Sequence, residues 1–119
     1  MKKVLVVEDN ESNLYLMRFL LEKNGFQVIE AKEGVQSVNM AKTEKPDFII
    51  MDIQLPDING LEATRRIRNA EVDSNIPIIV VTSYAMAGDR EKAIAAGCTG
   101  YIEKPINPET FLAELRKYM

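Results

Sequence analysis

Two runs of continuous apolar residues constrain the fold of this chain more than any other feature. They occupy residues 48–51 and 78–81 and consist of Phe, Ile, Met and Val. Runs of this length without polar alternation are typical of parallel strands that are covered by helices on both faces. Parallel strands need long crossover connections, which are usually helices. The two runs therefore predict an α/β protein.

Short β-branched runs alternate with helical patterns along the whole chain, which at 119 residues is expected to be one domain, 1–119. We predict strands near residues 3–8, 26–30, 47–52, 77–82 and 100–103. Helices are predicted near residues 12–24, 34–44, 59–70, 87–96 and 108–118, the last with Asn107 as N-cap. Right-handed crossovers then leave few topologies. The expected fold is a doubly wound, flavodoxin-like (βα)5 sheet with all five strands parallel, in the order 2-1-3-4-5.

Acidic residues follow the first and third predicted strands. Glu8 and Asp9 come directly after one apolar run, and Asp52 comes directly after another. In a parallel sheet the carboxyl ends of the strands share one edge, which is where such sheets bind ligands. If the two strands are neighbours, three carboxylates meet there. Three negative charges this close together are stable only if a cation or a proton neutralises them. A phosphate chemistry that uses a bound cation would meet the same requirement.

The ends of the fourth and fifth predicted strands add a hydroxyl and an amine to the same edge. Strand 4 ends in Thr82-Ser83, and strand 5 ends in Lys104-Pro105. Carboxylate oxygens suit Mg²⁺, and a hydroxyl with an ammonium suits a phosphoryl group. An Asp carboxylate can act as a nucleophile and form an aspartyl-phosphate. The combination predicts phosphoryl transfer, which needs mainly positioning and charge neutralisation.

The composition excludes several other kinds of function. The formal charge is −3 and the chain has no histidine, so neither nucleic-acid binding nor histidine-based metal or catalytic sites are expected. Cys98 is the single cysteine, which excludes an internal disulfide and indicates a reducing compartment. There is no signal-peptide pattern and no long apolar span. We expect a cytoplasmic protein that binds neither nucleic acid nor membrane.

Each site residue has a simpler structural interpretation when it is considered alone. Glu8 and Asp9 suit the first turn of a helix, and Asp52 suits a turn. Thr82 is a common strand residue, and Lys104 is of a type that is usually solvated. Their occurrence together, in this order, favours the functional interpretation.

Four motifs of the chain resemble the receiver domain of two-component response regulators, and the resemblance covers essentially all 119 residues. The motifs are Val6-Val7-Glu8-Asp9-Asn10, Met51-Asp52-Ile53-Gln54-Leu55-Pro56 with Asn59-Gly60, Val81-Thr82-Ser83 and Tyr101-Ile102-Glu103-Lys104-Pro105. The expected strand order 2-1-3-4-5 is taken in part from this family.

The resemblance implies a role for each acidic residue. Asp52 matches the phosphoacceptor. Asp9 and Asp52 match side-chain ligands of Mg²⁺, for which Mn²⁺ is expected to substitute, and the backbone carbonyl of Gln54 matches a third ligand. Glu8 matches an acidic position that usually reaches the metal through water.

The resemblance also implies roles beyond the metal. Thr82 and Lys104 match the hydroxyl and the ammonium that bind phosphoryl oxygens, so Asp52, Thr82 and Lys104 are the expected catalytic set. Tyr101 matches a switch aromatic that turns inward when Thr82 moves, and the Lys104-Pro105 bond is cis in the family. Tyr84 and Gln54 fall at variable positions and favour a shielded phosphate.

The implied function is a stand-alone response regulator in a phosphorelay. It is expected to be no enzyme in the ordinary sense, but a switch that promotes its own phosphorylation and dephosphorylation. Its expected partners are a histidine kinase or histidine phosphotransfer protein, and a downstream protein that binds helix 4, strand 5 and helix 5, around residues 85–118. The sequence names neither the kinase nor the target.

Other functions remain open at this point. The chain is also consistent with a receiver domain excised from a hybrid histidine kinase. A haloacid-dehalogenase-like phosphatase would need a second Asp two residues after the nucleophile, where this chain has Gln54. A flavodoxin-like FMN carrier would need a phosphate loop at residues 9–14, which are acidic here.

Overall fold

Strands and helices alternate strictly along the chain. The structure, a computed structural model, describes residues 2–70, 75–83 and 88–119. The strands are β1 (Lys3–Val7), β2 (Gln27–Ala31), β3 (Phe48–Asp52), β4 (Ile78–Thr82) and β5 (Gly100–Glu103). The helices are α1 (Glu11–Lys23), α2 (Gly34–Thr43), α3 (Gly60–Asn69), α4 (Asp89–Ala96) and α5 (Phe111–Arg116).

The five strands form one parallel sheet in the order β2-β1-β3-β4-β5, as predicted. Consecutive strand residues point to opposite faces. On one face Val4 and Phe48 pack among residues of α1 and α5, and on the other Leu5 and Ile49 pack among residues of α2 and α3. Helices on both sides bury β3 and β4 completely, which explains why these strands are continuously apolar.

The sheet order places the strand ends that carry the candidate site side by side. Val7 of β1 pairs with Met51 of β3, and Asp52 of β3 pairs with Val81 of β4. Thr82 then pairs with Glu103 of β5. In the described parts of the chain, no helix is long and apolar enough to cross a bilayer.

The last helix differs from the prediction. It runs over Phe111–Arg116, with Thr110 at the N-cap position, instead of 108–118 with Asn107 as the cap. The Asn107 side chain accepts a hydrogen bond from the Glu109 N–H at 2.9 Å, so it stabilises a separate turn. The Asn-Pro pattern begins a turn that precedes the α-helix, so the prediction of Asn107 as the N-cap was wrong.

One non-glycine residue at a helix end has a left-handed backbone. Lys45, which follows the C-cap of α2, has φ +47°, a conformation that disfavours residues other than glycine by roughly 1–2 kcal/mol. Because glycine also loses more chain entropy on folding, Lys45→Gly is expected to raise the free energy of unfolding by about 0.5–1 kcal/mol. Urea denaturation measures this change. Lys42→Gly, inside α2, is the control and is expected to lower it by about 1 kcal/mol; a loss at both positions would contradict the prediction.

Candidate functional site

A cleft of about 340 Å³ lies at the carboxyl end of the sheet. Its walls come from the segments that follow β1, β3, β4 and β5 and from the first turn of α1. The lining residues are Glu8, Asp9, Asn10, Asn13, Asp52, Gln54, Ser83 and Lys104. Five of the residues predicted from the sequence are therefore in one cleft: Glu8, Asp9, Asp52, Gln54 and Lys104.

A buried ion pair forms the floor of this site. Glu8 is fully buried, and the Lys104 side chain is 9% exposed. The Lys104 Nζ donates to Glu8 Oε1 at 2.9 Å and to Oε2 at 3.1 Å, and it lies 3.4 Å from Asp52 Oδ1. Lys104 is thus held more closely by Glu8 than by Asp52. One ammonium serves two buried carboxylates.

The neighbourhood of Asp52 strongly disfavours its ionised form. Asp52 is 5% exposed. Burial is the largest cause of a pKa raised to about 7, and the adjacent Glu8 carboxylate raises it further, while Lys104 opposes both. Removal from water and a like charge both favour the protonated acid. The carboxylate of Asp52 is therefore short of positive charge.

Asn13 is a site residue that the sequence reasoning missed. Its Nδ2 donates to Glu8 Oε1 at 2.9 Å, so Glu8 is held from two sides, by an amide and by an ammonium. Asn10 places it, because Asn10 caps α1 and its Oδ1 accepts from the Asn13 N–H at 3.0 Å. The signal was the helix start itself: Asn10 as N-cap puts Asn13 in the first turn, facing back toward the strand end.

The two residues implied for the switch are Thr82, the last residue of β4, and Tyr101, which lies in β5. Thr82 is 1% exposed, and its carbonyl accepts from the Lys104 N–H at 2.7 Å. Tyr101 is partly exposed, but its hydroxyl oxygen is buried without a hydrogen-bond partner among the described residues. The Lys104-Pro105 bond is cis, as predicted. Tyr84 lies outside the described residues, so its predicted shielding role receives no structural account.

The oxygen donors of the cleft fit Mg²⁺. Asp9 is exposed and Asp52 is buried, and both line the cleft with Gln54. Across residues 2–70, 75–83 and 88–119, no three acidic, histidine or cysteine side chains form a group that would hold a metal ion by themselves. Glu8 is held by Lys104 and Asn13 instead. Two carboxylates, a carbonyl and water are nevertheless the set that Mg²⁺ commonly uses.

Comparison with known proteins decides the family. Residues 4–116 match the family model described as the response regulator receiver domain. The chain belongs to this family. As a receiver domain it also has a curated relative over nearly its whole length: the polar-differentiation response regulator DivK of Brucella ovis is 42% identical over 118 residues, which is 99% of this chain and 96% of that protein.

Solved receiver domains share this fold closely. The chemotaxis protein CheY4 of Vibrio cholerae has a TM-score of 0.94 and 30% identity, with 100% of this chain and 99% of that chain covered. The receiver domain of the sensor histidine kinase PA1611 of Pseudomonas aeruginosa PAO1 has a TM-score of 0.89 and 35% identity, covering 98% and 96%. That structure has a magnesium ion coordinated in its active site cleft. Membership of this family leaves the haloacid-dehalogenase alternative without support.

Proposed function

We propose that this receiver domain accepts a phosphoryl group on Asp52, in a phosphorelay, and changes its affinity for a protein partner as a result. One observation carries the proposal: Asp52 is a buried carboxylate in an open cleft, 3.4 Å from the Lys104 ammonium. Its chemistry follows from that position. An oxygen of ionised Asp52 forms a bond to phosphorus, and the phosphorus–nitrogen bond of a donor phosphohistidine breaks, leaving the imidazole with the electron pair.

The surrounding residues assist this transfer electrostatically. Lys104 lies close enough to exchange its contact with Asp52 for one with a phosphoryl oxygen, and Thr82 supplies a hydroxyl at the end of the adjacent strand. Asn13 continues to hold Glu8 when the ammonium turns away. Fixed charges that neutralise the transferred group are the main contribution a protein makes to phosphoryl transfer.

Asp9, Asp52 and the backbone carbonyl of Gln54 are the residues that would hold Mg²⁺, with Glu8 acting through water. When bound, Mg²⁺ neutralises negative charge that develops on the phosphoryl oxygens. Mn²⁺ is expected to substitute for it. The chain serves as an acceptor that is consumed and regenerated, and in that sense it is a switch more than an enzyme.

Phosphorylation is proposed to act on the surface formed by α4, β5 and α5. Thr82 pairs with Glu103 in the sheet, and Tyr101 lies two residues before Glu103 in β5. A movement of Thr82 would therefore act directly on the strand that carries Tyr101. Ile94 on α4 is 59% exposed there. Residues 85–87 of the predicted surface lie outside the described part. A bound phosphoryl group shifts the population toward the form with the higher partner affinity.

The proposed partners are a histidine kinase or histidine phosphotransfer protein as donor, and a downstream protein as target, in the cytoplasm. Similarity to DivK over 96% of that protein's length favours a domain that works by itself. Similarity to the PA1611 receiver domain keeps the hybrid-kinase alternative as a second candidate. The two differ in where the donor lies, since a hybrid kinase carries its donor histidine on its own chain.

Incubation with acetyl phosphate and Mg²⁺ is expected to add one phosphoryl group to the wild type and none to Asp52→Asn, measured by intact-protein mass spectrometry. The amide lacks the charged oxygen that attacks phosphorus. Chelation of Mg²⁺ is expected to abolish labelling of the wild type. Asp47→Asn, which removes an exposed acid outside the cleft, is the control and should still be labelled. Equal labelling of the wild type and Asp52→Asn would overturn the assignment of the acceptor.

A further inference from the structure

A carboxylate from the segment between β3 and α3 caps a different helix. Asp57 Oδ1 accepts from the Gly34 N–H at 2.7 Å, and Oδ2 accepts from the Val35 N–H at 2.9 Å. Both donors belong to the first turn of α2. Glu33, at the N-cap position of α2, makes no side-chain capping bond. The α2 cap is therefore supplied by a residue that is 22 positions away from Val35.

These hydrogen bonds favour the ionised form of Asp57. The bonds from Val35 and Gly34 hold the pKa of the Asp57 carboxyl below its ordinary value, although some burial opposes this. A helix N-terminus stabilises a carboxylate in the same way. At neutral pH the contact is thus charge-assisted, which makes it stronger than a neutral cap.

Direct packing reinforces the same contact. A Cβ atom at Gly34 would lie 2.5 Å from Ile58 Cγ1 and 3.0 Å from the Ile58 carbonyl oxygen. Only glycine allows the first turn of α2 to approach the segment this closely. Ile58 itself packs against the core cluster that lies between the sheet and α2 and α3. The segment 53–59 and the start of α2 therefore behave as one packed unit.

The other end of this segment is fixed to the phosphoacceptor strand. The Gly60 N–H donates to the Ile53 carbonyl at 2.8 Å, and a Cβ atom at Gly60 would lie 2.0 Å from the Asp52 carbonyl oxygen. Between these anchors runs Gln54, which lines the cleft. The position of its backbone thus depends on how the segment is held on the α2 side.

We propose that Asp57 is a positioning residue of the phosphoacceptor site. By binding the start of α2 it holds the segment 53–59, and thereby sets the position of the Gln54 carbonyl. The inference rests on the proposed function, because it takes Gln54 as a ligand of Mg²⁺. Coupling between two sites is reciprocal. We call the two hydrogen bonds from Gly34 and Val35 to Asp57 the tether. If the tether strengthens Mg²⁺ binding, Mg²⁺ must stabilise the tether by the same factor.

The test must separate positioning from simple helix capping. Asp57→Ala removes both. Adding Glu33→Ser restores a cap at the helix itself, because the hydroxyl of a serine at the N-cap position would accept from a backbone N–H of the first turn. It restores no contact between α2 and the segment 53–59. Dissociation constants for Mg²⁺ and free energies of unfolding are then measured for the wild type, Glu33→Ser, Asp57→Asn, Asp57→Ala and the double variant, by calorimetric titration and urea denaturation.

The double variant is expected to regain stability relative to Asp57→Ala, yet to bind Mg²⁺ roughly 10-fold more weakly than the wild type, the lower end of the effect that outer-shell residues have on metal affinity. Asp57→Asn should be intermediate, and Glu33→Ser should bind as the wild type does. In the wild type, Mg²⁺ should slow hydrogen exchange of the Gly34 and Val35 amides by the same factor.

Two other results have distinct meanings. Wild-type affinity for Mg²⁺ in the double variant, without Mg²⁺-dependent protection of Gly34 and Val35 in the wild type, would make Asp57 a helix cap only and overturn this inference. Failure of the wild type itself to bind Mg²⁺ would overturn the proposed metal site instead. Substitution of Glu33 and Asp57 leaves the cleft residues intact, so the two failures remain distinguishable.

Discussion

Asp52→Asn is expected to raise the free energy of unfolding at pH 7, without Mg²⁺, by roughly 2–4 kcal/mol. Burial and the neighbouring Glu8 raise the pKa of Asp52 to about 7 in the folded protein, whereas in the unfolded chain it titrates near its ordinary value of about 3.9. An amide of the same shape carries no charge that needs solvation. The ionised Asp52 carboxylate is therefore expected to lower the stability of the folded protein.

The gain in the free energy of unfolding from Asp52→Asn should depend on pH in a defined direction. The folded state holds the Asp52 proton more tightly than the unfolded state, so the stabilising contribution of this group is present below pH 4 and is lost as pH rises toward 7. The advantage of Asp52→Asn should therefore be small at pH 4 and largest at pH 7, measured by urea denaturation across that range. Mg²⁺ should narrow the difference by stabilising only the wild type.

Asp9→Asn is the matched control, because it removes the same charge from an exposed position in the same cleft. It should change stability by no more than about 0.5 kcal/mol. An Asp52→Asn variant that is no more stable than the wild type at pH 7 would show that Lys104 fully compensates the buried charge.

Lys104→Met is expected to have the opposite effect and to lower the free energy of unfolding at pH 7 by roughly 3–5 kcal/mol. The Nζ contacts both Glu8 oxygens and lies 3.4 Å from Asp52. Its removal leaves two buried carboxylates without a cation, although the methionine preserves most of the packing volume. Equilibrium denaturation measures the loss.

A double variant tests whether this loss is electrostatic. In Lys104→Met the pKa of Asp52 should rise further, so the deficit should shrink as pH falls toward 5 and a carboxyl takes up a proton. Combining it with Asp52→Asn should recover a large part of the deficit, because only one buried charge remains. Lys42→Met, at an exposed position of α2, should change stability by less than about 0.5 kcal/mol. A deficit that is independent of pH and of Asp52 would indicate lost packing instead.

Much of the fold was predictable because short sequence patterns, which recur along the chain, mark its strands and helices. The apolar runs at 48–51 and 78–81 mark strands that are buried on both faces, and the structure confirms them in β3 and β4. Residues that directly follow parallel strands reach one sheet edge, and the strand order, which was taken in part from the family resemblance, then predicted that Glu8, Asp52 and Lys104 meet. The roles of these residues in phosphoryl transfer stay predictions.

Details that depend on side-chain direction were not predictable. Nothing in the sequence indicates that Lys104 contacts Glu8 more closely than Asp52, since that choice depends on distances of a few tenths of an ångström. The turn-forming neighbours of Asp57 in the sequence favour an ordinary turn residue, yet its hydrogen-bond partners lie in α2, more than 20 positions earlier. The helix α5 begins later than predicted because Asn107 stabilises a turn in place of the first helical turn.

The ion pair at the floor of the cleft joins residues that are 96 positions apart. Glu8 follows the first strand and Lys104 follows the last, so this contact closes nearly the whole chain into one loop, and contacts of such separation are costly in chain entropy. A nascent or truncated chain that ends before β5 contains Asp52 but no ammonium beside it. On the proposed function, competence to accept a phosphoryl group would therefore arise only when β5 and the residue after it have been synthesised and folded into place.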